Sequence, residues 1–258
     1  MSTQIIAVAN QKGGVGKTTS VINIASILAK DNQSVLVIDL DPQGNATTGS
    51  GIDKINLKYS IYDLLINNIK ANEIIQHSEN CNYDVLPANR HLAGAEIELI
   101  NISSREYQLT NMLQDVVSKY DIILIDCPPS LSLLTLNGLN FAKWLVIPVQ
   151  CEYYALEGLT DLLNTYNLVS TNLNQELKIL GILRTQLDSR NNLANDVSNE
   201  LEQYFAELLF KSYIPRNVRL AEAPSYGTSA FLLDANAIGS IAYIEVVAEI
   251  KSKLGILI

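Results

Sequence analysis

Gln11-Lys12-Gly13-Gly14-Val15-Gly16-Lys17-Thr18-Thr19 follows a short apolar run, Ile5 to Ala9, and leads into a stretch of helical character, Thr18 to Lys30. Glycines at this density let a backbone wrap tightly, so that successive N–H groups face inward toward an anion. The N-terminus of the following helix adds partial positive charge at the same point. Lys17 would then reach the β- and γ-phosphates of a nucleotide, and the Thr18 hydroxyl would ligate Mg²⁺. The general pattern G-x-x-x-x-G-K-[ST] is not strictly met. Its first glycine position holds Gln11, and an additional lysine, Lys12, stands at the head of the loop. The strand before and the helix after set this segment apart from a glycine-rich turn that binds nothing.

Outward from this loop, short apolar runs alternate with amphipathic stretches. Ile5 to Ala9, Ser34 to Ile38, Tyr83 to Leu86, Ile122 to Ile125, Trp144 to Val149 and Leu177 to Leu183 read as buried strands. Thr18 to Lys30, Arg105 to Ser118, Leu131 to Ala142, Leu156 to Asn172, Leu193 to Leu209 and Gly239 to Leu254 read as helices. Such alternation implies an α/β fold, a mostly parallel sheet with helices on both faces, whose ligands sit at the carboxyl ends of the strands. With 258 residues, 48% hydrophobic and 17% charged, the chain suits one large core, and a single domain over 1–258 is expected.

Two further strand ends carry acids. Val37-Ile38-Asp39-Leu40-Asp41-Pro42-Gln43-Gly44-Asn45 places Asp39 and Asp41 two residues apart, on one side of an extended chain. They are expected beside the phosphate loop, on the premise that the first two strands of such a sheet are neighbours. Asp41 before Pro42 is also compatible with a plain turn. Ile122-Ile123-Leu124-Ile125-Asp126-Cys127-Pro128-Pro129 ends a strongly apolar strand in Asp126, the arrangement in which a carboxylate holds Mg²⁺ directly or through water. A site of this make-up would catalyse phosphoryl transfer by positioning and charge neutralisation. His77 and His91 lie in polar helix or loop contexts and read as surface residues.

Lys12 through Thr19 resembles the deviant Walker A signature of the ParA/MinD ATPases, and the chain most resembles their ParA/Soj-type partition proteins, with D-x-D-P-Q-G-N, D-C-P-P-S and the segment from Ile214 to Ser225 in order and spacing. The resemblance runs from Ile5 to about Ala248. It implies a P-loop ATPase using ATP and Mg²⁺, with nucleotide held by Lys12, Gly13, Gly14, Val15, Gly16, Lys17, Thr18 and Thr19. It implies that Lys12 reaches a partner's ATP across a sandwich homodimer, that Asp41 positions or activates the attacking water, and that Asp39 and Asp126 serve the metal shell with Thr18. It puts Glu152 near the nucleotide or the dimer seam, and Pro215 and Asn217 against the adenine. Tyr153 and Tyr154 beside Glu152 read as packing residues. The implied partners are nonspecific DNA, contacted by Arg190 and Arg219, and a ParB-type centromere-binding protein that stimulates hydrolysis.

Composition limits this picture. The net charge of −9 repels polyanions at long range, so DNA binding would need a local basic patch. The stretch from Arg184 to Arg219 holds the richest supply: Arg184, Arg190, Lys211, Arg216 and Arg219. Two family positions usually basic hold other residues, at Thr228 and in the run Asp234 to Gly239. Cys81, Cys127 and Cys151 form no metal-ligand spacing and read as buried thiols. Met1-Ser2-Thr3-Gln4 shows no basic leader, and no apolar stretch reaches spanning length. A cytoplasmic, nucleoid-associated protein without stable membrane association and without a preceding helix-turn-helix domain is expected. The alternatives are a MinD-like membrane-cycling ATPase, for which the tail from Lys251 to Ile258 is short and broken by Gly255, and an ATP-dependent ligase or metal-insertion ATPase of the same fold.

Overall fold

The computed structural model describes residues 2–256. Its strands are β1 (Gln4–Val8), β2 (Val35–Asp39), β3 (Gln76–Ser78), β4 (Tyr83–Leu86), β5 (Ile122–Asp126), β6 (Trp144–Gln150) and β7 (Lys178–Thr185). They form one sheet in the order β3-β4-β2-β5-β1-β6-β7, parallel throughout except for the edge pair β3–β4. The mostly parallel α/β architecture agrees with the sequence reading, but β1 and β2 are not neighbours. β5 lies between them and pairs with both. The connection from β1 through α1 to β2 skips one strand position, which β5 fills before the chain returns on the other side of β1 as β6. The crevice at the loop is thereby framed by β1 and β5, and it is Asp126 that borders it most directly.

The sheet separates two apolar layers, as the side-chain alternation of a strand dictates. From β1, Ile5 and Ala7 enter one layer, and Ile6 and Val8 enter the other. From β5, Ile123 and Ile125 join the first, and Ile122 and Leu124 the second. The first layer is closed by α6 (Gln108–Val117), α7 (Leu133–Phe141), α8 (Ala155–Asn172) and α9 (Asn192–Phe205). The second is closed by α1 (Lys17–Lys30) and α12 (Ile238–Leu254). Burial on both faces explains why β2 and β5 are apolar at nearly every position and show no alternation in sequence.

Smaller elements escaped the sequence reading: α2 (Asn45–Gly49), α3 (Ile61–Leu65), α4 (Ala71–Ile74), α5 (Leu92–Glu98), α10 (Val218–Glu222) and α11 (Ala230–Leu233). All are too short to express a helical period. The same holds for β3, so His77 stands in an edge strand, not in a helix or loop; its exposure agrees with the reading. The expected helix from Leu131 begins two residues later because Ser132 is extended. The expected helix to Leu209 stops at Phe205, where Leu208 and Leu209 leave to bridge toward Ile182.

Close packing is tightest where β7 meets the segment after α9. A Cβ added to Gly181 would fall 2.5 Å from Cε2 of Phe210, a fully buried ring. Phe210 cannot move aside freely, because its N–H donates to the Ile182 carbonyl at 3.0 Å. Gly181→Ala is expected to lose about 1–3 kcal/mol of stability through this overlap. Thermal unfolding by circular dichroism should register it as roughly 2–4 °C for each kcal/mol.

Candidate functional site

The phosphate loop is held from outside by its carbonyls. Thr185 Oγ1 donates to the Val15 carbonyl at 2.7 Å, and Gln186 Nε2 to that of Gly14 at 2.6 Å. Asn10 Oδ1 accepts from the Lys12 N–H at 2.9 Å, while Asn10 Nδ2 donates to the Pro148 carbonyl. With carbonyls tied to neighbouring strands, loop N–H groups remain to serve an anion. Gly16 has φ 86°, the left-handed conformation that turns the chain into α1. Lys17 is buried, and its Nζ donates to the Lys12 carbonyl at 3.0 Å, folded back over the loop. Burial lowers its pKa, against the opposing pull of Asp126, Cys127 and Asp41. Asn10, Thr185 and Gln186 were not singled out in the sequence. Asn10, a polar residue directly after an apolar strand, was the one available signal.

Three carboxylates face this lysine. Asp39 and Asp126 are register partners on β2 and β5, both fully buried. The Thr18 hydroxyl donates to Asp126 Oδ2 at 2.6 Å, and Asp126 Oδ1 is buried without any partner. Burial, reinforced by the charge of Asp39, pushes the Asp126 pKa well above the carboxylate range. A hydroxyl and an unpartnered carboxylate oxygen form a hard donor set suited to Mg²⁺, which takes few protein ligands alongside phosphate and water. The site therefore fits the metal at Thr18 and Asp126.

Asp39 is differently occupied. Its Oδ1 accepts from the Asp41 N–H at 3.1 Å, and its Oδ2 from the Thr47 N–H and hydroxyl at 2.8 and 2.7 Å. Burial raises its pKa to about 6 despite these bonds. Both oxygens thus fix the turn that carries Asp41, so Asp39 reaches the metal shell only by holding its neighbours. Asp41 Oδ1 accepts from the Gln43 N–H at 2.9 Å, and no intrachain hydrogen bond engages Oδ2 among the described residues. The turn is closed by Gly44 at φ 61°, where a Cβ would stand 2.7 Å from the Ala88 carbonyl oxygen. That contact explains the glycine in D-P-Q-G.

Beside the loop, a cleft of about 310 Å³ is bordered by Gly16, Thr19, Thr185, Gln186, Pro215 and Asn217, with Tyr243 beneath. It brings the two base-side candidates to the phosphate loop. The Asn217 side chain also caps α10 by accepting from the Arg219 N–H. On the opposite side, Lys12 Nζ pairs with Glu152 at 2.5 Å. Tyr153 and Tyr154 are not packing residues: they stand 74% and 66% exposed, stacked edge-on against each other at 5.0 Å. The turn before α8 lifts both off the core.

The basic candidates separate. Arg184 is buried, donating to Ser198 Oγ, Glu202 and the carbonyls of Phe210 and Lys211, so it leaves the surface supply. Arg190 and Arg219 are exposed but paired, Arg190 with Asp188 and Arg219 with Glu222 and Asp234. All three cysteines are buried.

A family model described as an AAA domain matches residues 3–179. The Bacillus subtilis sporulation initiation inhibitor protein Soj is 50% identical over 249 residues, covering 96% of this chain and 98% of Soj. The Myxococcus xanthus chromosome partitioning protein ParA is 46% identical, covering 97% of this chain and 88% of its own. The chain belongs to the ParA/Soj family of partition ATPases. Among solved structures, cobyrinic acid a,c-diamide synthase from Mycobacterium smegmatis with bound ATP analogue and magnesium superposes with TM-score 0.84 at 37% identity, over 95% of this chain and 93% of that one.

In this family member the pair Asp39–Asp126 is a local liability without a cation. Asp126→Asn puts an amide that cannot ionise where burial and Asp39 make ionisation costly. It should raise the melting temperature of the Mg²⁺-free protein by roughly 2–6 °C. The same change should weaken Mg²⁺-dependent ATP binding by about tenfold or more. Calorimetry with and without Mg·ATP reads both effects.

Proposed function

We propose that this chain is an ATP-switched DNA-partition ATPase built as a single catalytic unit, with ATP and Mg²⁺ as cofactors. The observation that carries the reading is the convergence of Lys17, the unpartnered Asp126 oxygen and the fixed Asp41 turn on one crevice. The phosphate-loop N–H groups and Lys17 hold the β- and γ-phosphates, and Thr18 with Asp126 holds the metal, which neutralises charge on those phosphates when bound. Asp41 orients the attacking water through its unengaged oxygen. The bond from the γ-phosphorus to the bridging oxygen then breaks, leaving ADP and phosphate, and Lys17 stabilises the charge that develops on the leaving side. Pro215 and Asn217 receive the adenine.

The switch is an ATP-dependent homodimer in which Lys12 exchanges Glu152 for the partner's nucleotide. A Cβ added at Gly13 would meet no other part of the described residues within 4 Å, so the position has room in its own chain and would be crowded by a bound molecule or a second copy. The dimer binds DNA without sequence preference through Arg190 and Arg219, in the nucleoid, and a ParB-type partner stimulates hydrolysis to release it. The last helix supports this reading over a membrane-cycling one. Lys251 is buried against Asp31 at 2.8 Å and is not free for anionic lipid, and the exposed Lys253 donates one bond to the Leu180 carbonyl. Leu257 and Ile258, the rest of the apolar tail, lie outside the described residues. No helix among the described residues is long and apolar enough to cross a membrane.

Lys17→Ala should abolish ATP binding, and Asp41→Ala should bind ATP normally while hydrolysis falls below detection. Nucleotide binding and phosphate release assays separate the two; an Asp41→Ala protein turning over at the parental rate removes Asp41 from its role. For the switch, Gly13→Val should bind ATP yet elute as a monomer on size exclusion, and Lys12→Ala should weaken the ATP dimer. A dimer of unchanged strength in both variants, with or without ATP, rules out the sandwich arrangement.

A further inference from the structure

The two arginines offered to DNA are each matched to carboxylates of their own chain. Arg190, 89% exposed at its side chain, makes a two-pronged contact with Asp188, Nε to Oδ1 at 2.9 Å and Nη2 to Oδ2 at 2.7 Å. This is the same fork that a phosphate would occupy. Arg219 Nη1 donates to Glu222 Oε2 at 3.0 Å, and its Nε lies 3.6 Å from Asp234 Oδ2. The two sites together set two arginines against three acids, in a molecule whose net charge is already −9. The acids come from different elements: Asp188 follows β7, Glu222 closes α10, and Asp234 follows α11. Asp188 lies two residues before Arg190 and Glu222 one helical turn after Arg219, so those two pairs are local, whereas Asp234 is brought to Arg219 by the fold.

We propose that Asp188, Glu222 and Asp234 are resident competitors for nucleic-acid phosphate, holding Arg190 in a neutral pair and Arg219 between two acids, and setting the affinity of the DNA face low. This rests on the reading that the two arginines meet phosphate. Exposed ion pairs are weak, so the carboxylates compete with DNA and do not lock it out. Each arginine that moves to a phosphate leaves a carboxylate behind, which repels the same backbone and attracts a counterion from solution. The net release of cations per contact falls, and with it the salt dependence of binding. The Asp188–Arg190 contact holds the Asp188 carboxyl down at about 2, so this competitor stays ionised throughout the physiological range. Weak, evenly balanced contacts suit a protein that must leave DNA whenever its dimer comes apart, since no single bond then holds the complex.

The test uses the full chain with Asp41→Ala, saturated with Mg·ATP, and fluorescence anisotropy on two labelled duplexes of unrelated sequence across a salt series. The variant Asp188→Asn/Glu222→Gln/Asp234→Asn keeps side-chain oxygens as acceptors at all three positions. It should bind both duplexes about threefold to tenfold more tightly at low salt and show a steeper salt slope. A charge-matched control, Glu73→Gln/Glu79→Gln/Asp115→Asn, alters three exposed acids elsewhere by the same net amount and should change affinity far less. If the control tightens binding as much as the amide triple, or if the triple binds no better than the parent, local competition is overturned. Weaker binding by Asp188→Asn alone also overturns it, because Asp188 would then be orienting Arg190 for DNA. Arg190→Ala and Arg219→Ala distinguish the underlying reading. If both match the parent in affinity and slope, the DNA face itself is misplaced, whereas weakening by both with no gain in the amide triple sinks the competitor proposal alone.

Discussion

Asp39 and Asp126 stand opposite each other at the ends of two parallel strands, fully buried. Two carboxylates in that position are tolerable only if their charge is answered, and the chain answers it unevenly. Asp39 receives hydrogen bonds on both oxygens from the turn that follows it. Asp126 keeps one oxygen unpartnered and has a single hydroxyl on the other. The imbalance divides the labour between two residues of identical chemistry: one organises backbone, and the other keeps an oxygen open to a ligand. The turn geometry of Asp41, the glycine at position 44 and the burial of Lys17 all follow from how this charge is accommodated.

The same imbalance marks how far sequence could be read. The parallel sheet was legible because buried strands are uniformly apolar, and the crevice was legible because its acids and glycines fall at strand ends. Strand order was not, since nothing in a linear chain says that β5 will insert between β1 and β2. Nor could sequence say that Asp39 and Asp126 differ, because the distinction lies in Thr47, eight residues further on. Short helices and the edge strand β3 carry too few residues for a period. Tyr153 and Tyr154 looked like packing residues because aromatic residues beside a strand usually are; only the turn before α8 reveals that they stand clear of the core.

Several cations in this molecule are committed within the chain. Arg184 is consumed in joining β7, α9 and the following segment, and Lys251 in fastening α12 to the end of α1. Lys12 is held by Glu152, with each side chain partly exposed. The surface that could meet a polyanion is therefore defined less by where basic residues occur than by which of them have weak, exchangeable partners. Composition alone, which counts Arg184 and Arg190 equally, cannot draw that line.

The bracing of the phosphate loop by Thr185 and Gln186 links residues 170 and 172 positions apart. On a ribosome, the glycine-rich segment emerges early, but the side chains that fix its carbonyls arrive only after β7 has been made. The nascent chain thus carries its complete phosphate motif for most of synthesis without the means to hold it in shape. Cellular ATP meets a finished cradle only after the outer strand has docked, so nucleotide capture reports that the chain has been made at least through Gln186.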